Sequence, residues 1–497
     1  MDAMSAAGAL LFWPIAWALG RVLLPPRSVL PRSLWEEASV AYLLGCGLIA
    51  VLGAAGVALG VPFAAIFWLT FAGGLAALAA LVRAHRRGAD LPWQPLGWNR
   101  ASVLLLAALA LGAAALTLLL PLNETDPLLH FAYRGKVLHY HGTVLNDALL
   151  GMHGPSDFGR VVTHPNYPLG LPVLEAWAAH LGGWSDRWVQ APLAWWAACL
   201  PGAVAFGLRG WSTEAARRGA LLGACTPMLY VADLFARGWT DLREAGLGGV
   251  TTIGGGADLP VAALFAAACA LLLRGHQANC RRAGFAAGLA VAGAVMMKNE
   301  GLALAGVALL ALLIASALPA RPRLRPAAAC AIAAVACIAP WLAVRAQLPA
   351  IDENYGEHFT LSRLGDALTG MQEPRERVPP GMAETAEEAL GGGALLRRTQ
   401  IAGAFGEEFA DLRTWGLLWP ATFLALLLTL RRWREWETRW LALVVGGGIL
   451  LYVCVLLVTP WYFPSLREKG IPERLLVHLL GPCALLAGAA LSPRPKG

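Results

Sequence analysis

YPLGLPVLEAWAAH, residues 167–180, decides how often this chain crosses a membrane. The segment is apolar enough to pass for a span. Its fourteen residues, however, rise only ~21 Å as a helix, against a hydrocarbon core about 30 Å thick. It also carries Pro168, Pro172, Glu175 and His180. We read it as a re-entrant or interfacial helix. It closes a polar interval, 123–180, which opens with NETDPLLHFAYRGKVLHYHG at Asn123 and carries Glu124, Asp126, Arg134, Lys136, Asp147, Asp157 and six histidines. Ionisable groups at the mouth of an apolar bundle are expensive to keep, which makes them a functional-site expectation.

The remainder of the chain is apolar. Of 497 residues 57% are hydrophobic and 14% charged, and the mean hydropathy is +0.57, whereas soluble domains average about 25% charged. The class is therefore an all-α polytopic membrane protein. Thirteen spans are expected, at 4–24, 38–59, 62–82, 101–120, 188–208, 219–235, 258–273, 283–297, 302–318, 327–344, 416–430, 441–459 and 475–491. The first is read as a retained helix, since no basic n-region or small-residue cleavage motif accompanies it. Eight of the nine cysteines lie in apolar spans and Cys280 in a short Arg-flanked loop, so no structural disulfide is expected outside the membrane.

The net charge of +7 is spread over short loops, which argues against a nucleic-acid partner and reports orientation instead. The basic sets are Arg27 and Arg32; Arg83, Arg86 and Arg87; Arg209, Arg217 and Arg218; Arg274, Arg281 and Arg282; Arg321, Arg323 and Arg325; Arg431, Arg432, Arg434 and Arg439; and Arg494 with Lys496. If 167–180 does not cross, all seven fall on one side, the cytoplasmic one by the positive-inside rule. The other side collects 123–187, 236–257, the tip 298–301, the polar segment 346–414 and 460–473. Four regions follow: additional N-terminal helices over 1–100, a membrane core over 101–345 with its loop 122–187, a loop or cap over 346–414, and C-terminal helices over 415–497. No strand–GxGxxG–helix unit, Walker-type loop or internal repeat is present.

Several residues on that second side could carry chemistry. Asp126 stands six residues past an apolar run and precedes Pro127. A helix cap accounts for it, and so does a general base that takes a proton from an attacking hydroxyl. Glu124 stands close enough to orient it or raise its pKa. Asp258 opens a span in Gly256-Ala257-Asp258-Leu259-Pro260, again either as a helix start or as a second acid facing the same cleft. Lys298, Asn299 and Glu300 form the tip between two spans; a snorkelling turn and an anion-binding lip are the two readings. His164-Pro165 and Tyr167-Pro168 make a stiff, extended entry to the short helix. Arg474 enters the last span from outside, as an interface anchor or a phosphate ligand. His139 and His141 are spaced i,i+2, which cannot share a ligand on a helix, whereas Asp126 and His130 at i,i+4 could. No HExxH signature is present, and a divalent metal stays only an alternative.

Taken in order, TDPLLHFAYRGKVL (125–138), HPNYPLGLP (164–172), GADLP (256–260), KNEG (298–301) and TPWY followed by PERLLVHLLGP (459–482) resemble the motifs of bacterial GT-C fold membrane glycosyltransferases. The closer resemblance is to the branch related to the protein O-mannosyltransferases, the PMT-2-like enzymes. It runs from about residue 101 to the C-terminus. The resemblance implies a GT-C-like bundle with periplasmic interfacial helices in the first large loop, in a bacterial inner membrane. Its active site would face the periplasm. It further implies a catalytic acid at Asp126 and a second acid at Asp258. The donor would be a polyprenyl-phosphate sugar, used with inversion, and its phosphate would lie near Lys298, Arg474 and, more weakly, Lys136. His164, Tyr167, Asn299 and Glu300 are the candidate substrate contacts. The acceptor would be a hydroxyl of a glycan, lipid or protein, with membrane lipid as the surrounding partner; no cofactor is assigned, and a divalent metal is the one alternative. The adjacent acid pair common in such enzymes is Glu124-x-Asp126 here. Two other classes stay open: a transporter or flippase of a lipid-linked or anionic solute, and a surface-polysaccharide polymerase or ligase.

Overall fold

The computed structural model describes residues 2–88, 91–119, 130–144, 166–230, 256–318, 324–348, 359–369, 393–459, 463–468 and 470–492. All regular structure among them is helical. In chain order the helices used below are α1 (Asp2–Leu23), α2 (Leu34–Ala58), α3 (Phe63–Arg86), α4 (Arg100–Leu119), α5 (Tyr133–His141), α6 (Gly170–Ala179), α7 (Trp196–Leu208), α8 (Thr213–Ala224) and α9 (Asp258–Ala278). They continue with α10 (Arg281–Met297), α11 (Glu300–Ala317), α12 (Leu324–Arg345), α13 (Leu361–Thr369), α14 (Gly393–Ala410), α15 (Leu418–Arg431), α16 (Trp436–Val458), α17 (Ile471–Val477) and α18 (Leu480–Ala490).

Nine described helices are long and apolar enough to cross a membrane, and the bent pair α17–α18 makes a tenth if counted as one span. The chain is thus a multi-pass membrane protein. Three of the expected spans meet helices too short to cross a full core unaided. Helix α8 has 12 residues and α15 has 14, both shorter than drawn, while α10 has 17 and exceeds the span drawn at 283–297; they rise ~18, ~21 and ~26 Å. The apolar run at 219–235 overstates its helix, because Pro227 follows α8 at once and removes a backbone donor.

The hydrogen bonds fix which helix ends lie together. Glu37 on α2 receives Arg21, Arg27 and Arg32 at 2.7–2.9 Å, while Arg209 at the end of α7 pairs with Glu36 at 2.7 Å. Arg274 near the end of α9 donates to the Pro31 carbonyl at 3.0 Å, and Arg282 at the start of α10 donates to Leu23 at 3.2 Å. Arg218 reaches Leu491, Arg432 reaches Ala489, and Arg439 reaches Ala315. The basic segments after α1, α7, α9 and α15 therefore share one end of the bundle with the C-terminal end of α18. Two fully buried glutamates hold several of these arginines, an arrangement that loop counting alone does not suggest.

Helices α1 and α2 pack through a small-residue seam, Ala16/Gly20 against Ala41/Gly45. A Cβ on Gly20 would overlap the Ala41 carbonyl, and one on Gly45 the Ala16 carbonyl. Without a hydrophobic drive between helices in lipid, such close backbone approach supplies the packing energy.

The decisive segment is a short helix, as expected, and it is packed inside the protein. All ten residues of α6 are buried. Nine of its residues are apolar, and the tenth, Glu175, is fully buried with them. Trp177 donates to Thr70 Oγ1 at 2.9 Å and meets Phe12 edge-on at 5.1 Å. At the other end, a side chain on Gly170 would strike the Met296 carbonyl, which seats the start of α6 two residues from Lys298.

Candidate functional site

At the end opposite the basic loops, two separate segments bring three side chains onto one carboxylate, that of Asp258. Asp258 is the first residue of α9. It does not cap the helix: the N-cap is Ala257, with no side-chain bond. Its oxygens point instead to side chains. Lys298 Nζ donates to Oδ1 at 2.7 Å, His478 Nε2 lies 3.0 Å from the same oxygen, and Arg474 Nε donates to Oδ2 at 2.9 Å. Lys298 also pairs with Glu300 at 3.2 Å. Behind His478, the Tyr452 hydroxyl lies 2.8 Å from Nδ1. A carboxylate can only accept, so Nε2 carries the ring proton; with a neutral ring, the tyrosine hydroxyl donates to Nδ1.

Local sequence explains how each group arrives. The α10–α11 turn is only Lys298 and Asn299, and Lys298 is extended at φ −157°. Its side chain is 9% exposed, so it turns inward and does not snorkel. Pro482 cannot donate to the His478 carbonyl four residues back, and its ring crowds that oxygen. The result is the 53° bend between α17 and α18, with His478 and Leu479 in the break. That break aims His478 and, one turn earlier, Arg474 at Asp258.

Asp258 and Glu300 face Lys298 and Arg474, so the cluster is close to neutral with His478 uncharged. Burial pulls the Lys298 ammonium down, but Asp258 and Glu300 outweigh it and hold its pKa above the ordinary lysine value. Of the three ammonium donors, Asp258 and Glu300 use two. The third can meet an incoming oxygen. Both Asp258 oxygens are engaged, Oδ1 by Lys298 and His478 and Oδ2 by Arg474.

Above the cluster lies part of the polar segment 346–414. Arg397 on α14 donates to the carbonyls of Leu456 and Thr459, each at 2.8 Å, which fastens α14 over the end of α16. Trp415 Nε1 donates to Glu408 Oε2 at 2.9 Å. Burial, and then the adjacent Glu473, push the Glu408 carboxyl up to about 8. The described part of 346–414 is thus a helical cap beside Arg474.

The other expected residues divide. Asp258, Lys298, Glu300 and Arg474 come together, and Asn299 sits beside them with its Oδ1 buried and unpartnered. Lys136 is exposed on α5 and makes no ion pair among the described residues, so nothing joins it to this cluster. Tyr167 is engaged with α5 and the residues before it: its carbonyl accepts from Arg134 at 2.8 Å and its ring lies 5.5 Å from His130. Glu124, Asp126 and His164 lie outside the described residues. Among the described residues no group of three or more His, Cys, Asp or Glu could hold a metal ion.

His478 and Tyr452 were missed by the sequence reading. A signal existed for the first, since His478 is the one histidine within the thirteen expected spans and stands i+4 from Arg474. Tyr452 gave none beyond a hydroxyl in an apolar run. No family model, no curated protein and no solved structure matches the chain. The fold and site define a multi-pass helical membrane protein with a buried ionic cluster at one end.

Proposed function

We propose that this chain is a membrane glycosyltransferase that moves one sugar from a polyprenyl-phosphate donor to an acceptor hydroxyl of a glycan, lipid or protein. The reaction would take place at the Asp258 end of the bundle. By the positive-inside rule that end faces away from the cytoplasm, which in this reading is the periplasmic side of a bacterial inner membrane. In this reading Asp126 takes the proton of the acceptor hydroxyl as its oxygen attacks the anomeric carbon, with Glu124 orienting it. The bond from that carbon to the donor phosphate breaks with inversion, and the phosphate leaves with the negative charge. Positive charge placed where that charge develops is what lowers the barrier.

One observation carries the reading: Lys298 and Arg474, from segments far apart in sequence, are held side by side on Asp258 at that end. The absence of a nucleotide-binding motif fits a lipid-borne donor, whose tail needs only the membrane.

The test compares envelope glycans, lipids and proteins by mass spectrometry in cells lacking the chain and in cells complemented with variants. We expect one defined sugar mass to vanish, to return with the wild-type chain, and to stay absent with Asp126→Asn although that variant is folded in the membrane. Near-wild-type transfer by Asp126→Asn would remove it as the base. Solute uptake into proteoliposomes with no covalent product would replace the whole reading with a transporter.

A further inference from the structure

We infer that a cavity beneath α4 holds one hydrocarbon chain of an anionic phospholipid, taken from the leaflet at the basic end, with the lipid phosphate against Arg100. The cavity is about 670 Å³, within the range of small-ligand sites. It lies between α4 on one side and α1, α2 and the start of α7 on the other, walled there by Trp13, Trp35, Tyr42 and Trp195. Its few polar groups include the Ser39 hydroxyl and that of Tyr42, and the latter already donates to the Pro192 carbonyl at 2.6 Å. An apolar space of this kind gives water too few partners. Surrounded by lipid, its natural occupant is a hydrocarbon chain.

The depth matches one leaflet. On α4 the lining residues Val103, Leu106, Ala107, Ala110 and Leu111 form a stripe at i, i+3, i+4, i+7 and i+8. It covers ~12 Å of helix, inside the ~15 Å half of a hydrocarbon core. Arg100 continues the same stripe one turn beyond Val103, at the basic end. It is exposed and has no ion pair among the described residues.

The charge at that mouth selects the headgroup. Leu96 lines the cavity, and its carbonyl accepts from Arg209 at 3.4 Å. Arg100 adds a charge with no ion pair among the described residues, and behind Arg209 the guanidiniums of Arg21, Arg27 and Arg32 converge on Glu37, so the described ion pairs leave a positive surplus. Arg274 Nε is buried without a partner. A phosphodiester with no compensating cation of its own balances that surplus; a zwitterionic headgroup does so less well.

The full-length protein, stripped of lipid in detergent, is titrated with phosphatidylglycerol or phosphatidylcholine of identical chains and read by native mass spectrometry. We expect one phosphatidylglycerol to bind in preference to phosphatidylcholine. Ala107→Phe with Ala110→Phe fills the stripe and should abolish binding of both. Arg100→Gln should weaken phosphatidylglycerol about fivefold, the worth of one basic residue near an anionic lipid, and leave phosphatidylcholine unchanged. Equal binding of the two lipids, no lipid bound to the wild type, or Arg100→Gln without effect would overturn the proposal. Because Arg100 is exposed, its arm stands even if the double phenylalanine variant fails to fold.

Discussion

Replacing Asp258 by Asn tests the cluster without changing its shape. The wild-type carboxylate accepts three bonds, at 2.7, 2.9 and 3.0 Å, from Lys298, Arg474 and His478. Asparagine keeps one accepting oxygen and turns the other into a donor, which then faces a cation or an N–H in either flip. Lys298 keeps Glu300 at 3.2 Å, and the charge that balanced Arg474 is gone. Removing one partner of a buried pair typically costs about 3–5 kcal/mol. Against a total stability of ~5–15 kcal/mol, that loss is readily measured. Lys298→Met should cost less, since Asp258 still has Arg474 and His478. The double variant should fall short of the summed single costs by about 1–3 kcal/mol, because the second change removes the charge that the first left unpaired. Equilibrium unfolding in dodecyl maltoside with increasing sodium dodecyl sulfate, followed by tryptophan fluorescence, gives all three values. Single costs that add to within ~0.5 kcal/mol would refute the ion pair as a coupled unit.

Three further outcomes are expected. Tyr452→Phe deletes one buried hydrogen bond to His478 and leaves Nδ1 unsatisfied; a loss of about 1–3 kcal/mol should be seen in the same unfolding assay. Gly45→Leu cannot be accommodated against the Ala16 carbonyl, so α1 should separate from α2 and the variant should aggregate during size-exclusion chromatography, whereas Leu52→Ala on the lipid-facing side should elute normally. Glu408 holds its proton up to about pH 8 in the folded protein, against an ordinary value of 4.5, so the folded state binds more protons throughout that window. Its stabilising contribution is therefore complete below 4.5 and is lost as pH rises towards 8. Glu408→Gln should flatten the fall in melting temperature across that range and melt above the wild type at its upper end.

The sequence by itself determined the class and the arrangement of ends. Apolar runs long enough to span a bilayer cannot be soluble domains, and the basic loops alternate with the apolar runs, so their common end follows from connectivity once 167–180 is denied a crossing. It also singled out Asp258, Lys298, Glu300 and Arg474, because an ionisable group beside lipid is legible wherever it stands.

Tertiary structure decided what those groups do. Helix α6 is too short to cross, and only the packing of neighbours around all its faces makes it buried. Asp258 reads equally well as a cap, an acid or an anchor until α10 and α17 deliver three donors to its two oxygens. His478 joins them because Pro482 breaks the last span at that point, a bend that sequence suggests but cannot aim. The positive-inside count treated the arginines of the basic end as interchangeable charges; buried Glu36 and Glu37 make several of them specific partners. Hydropathy is a property of each segment alone, whereas an ion pair requires distances between segments separated by up to 220 residues, and only the folded bundle supplies them.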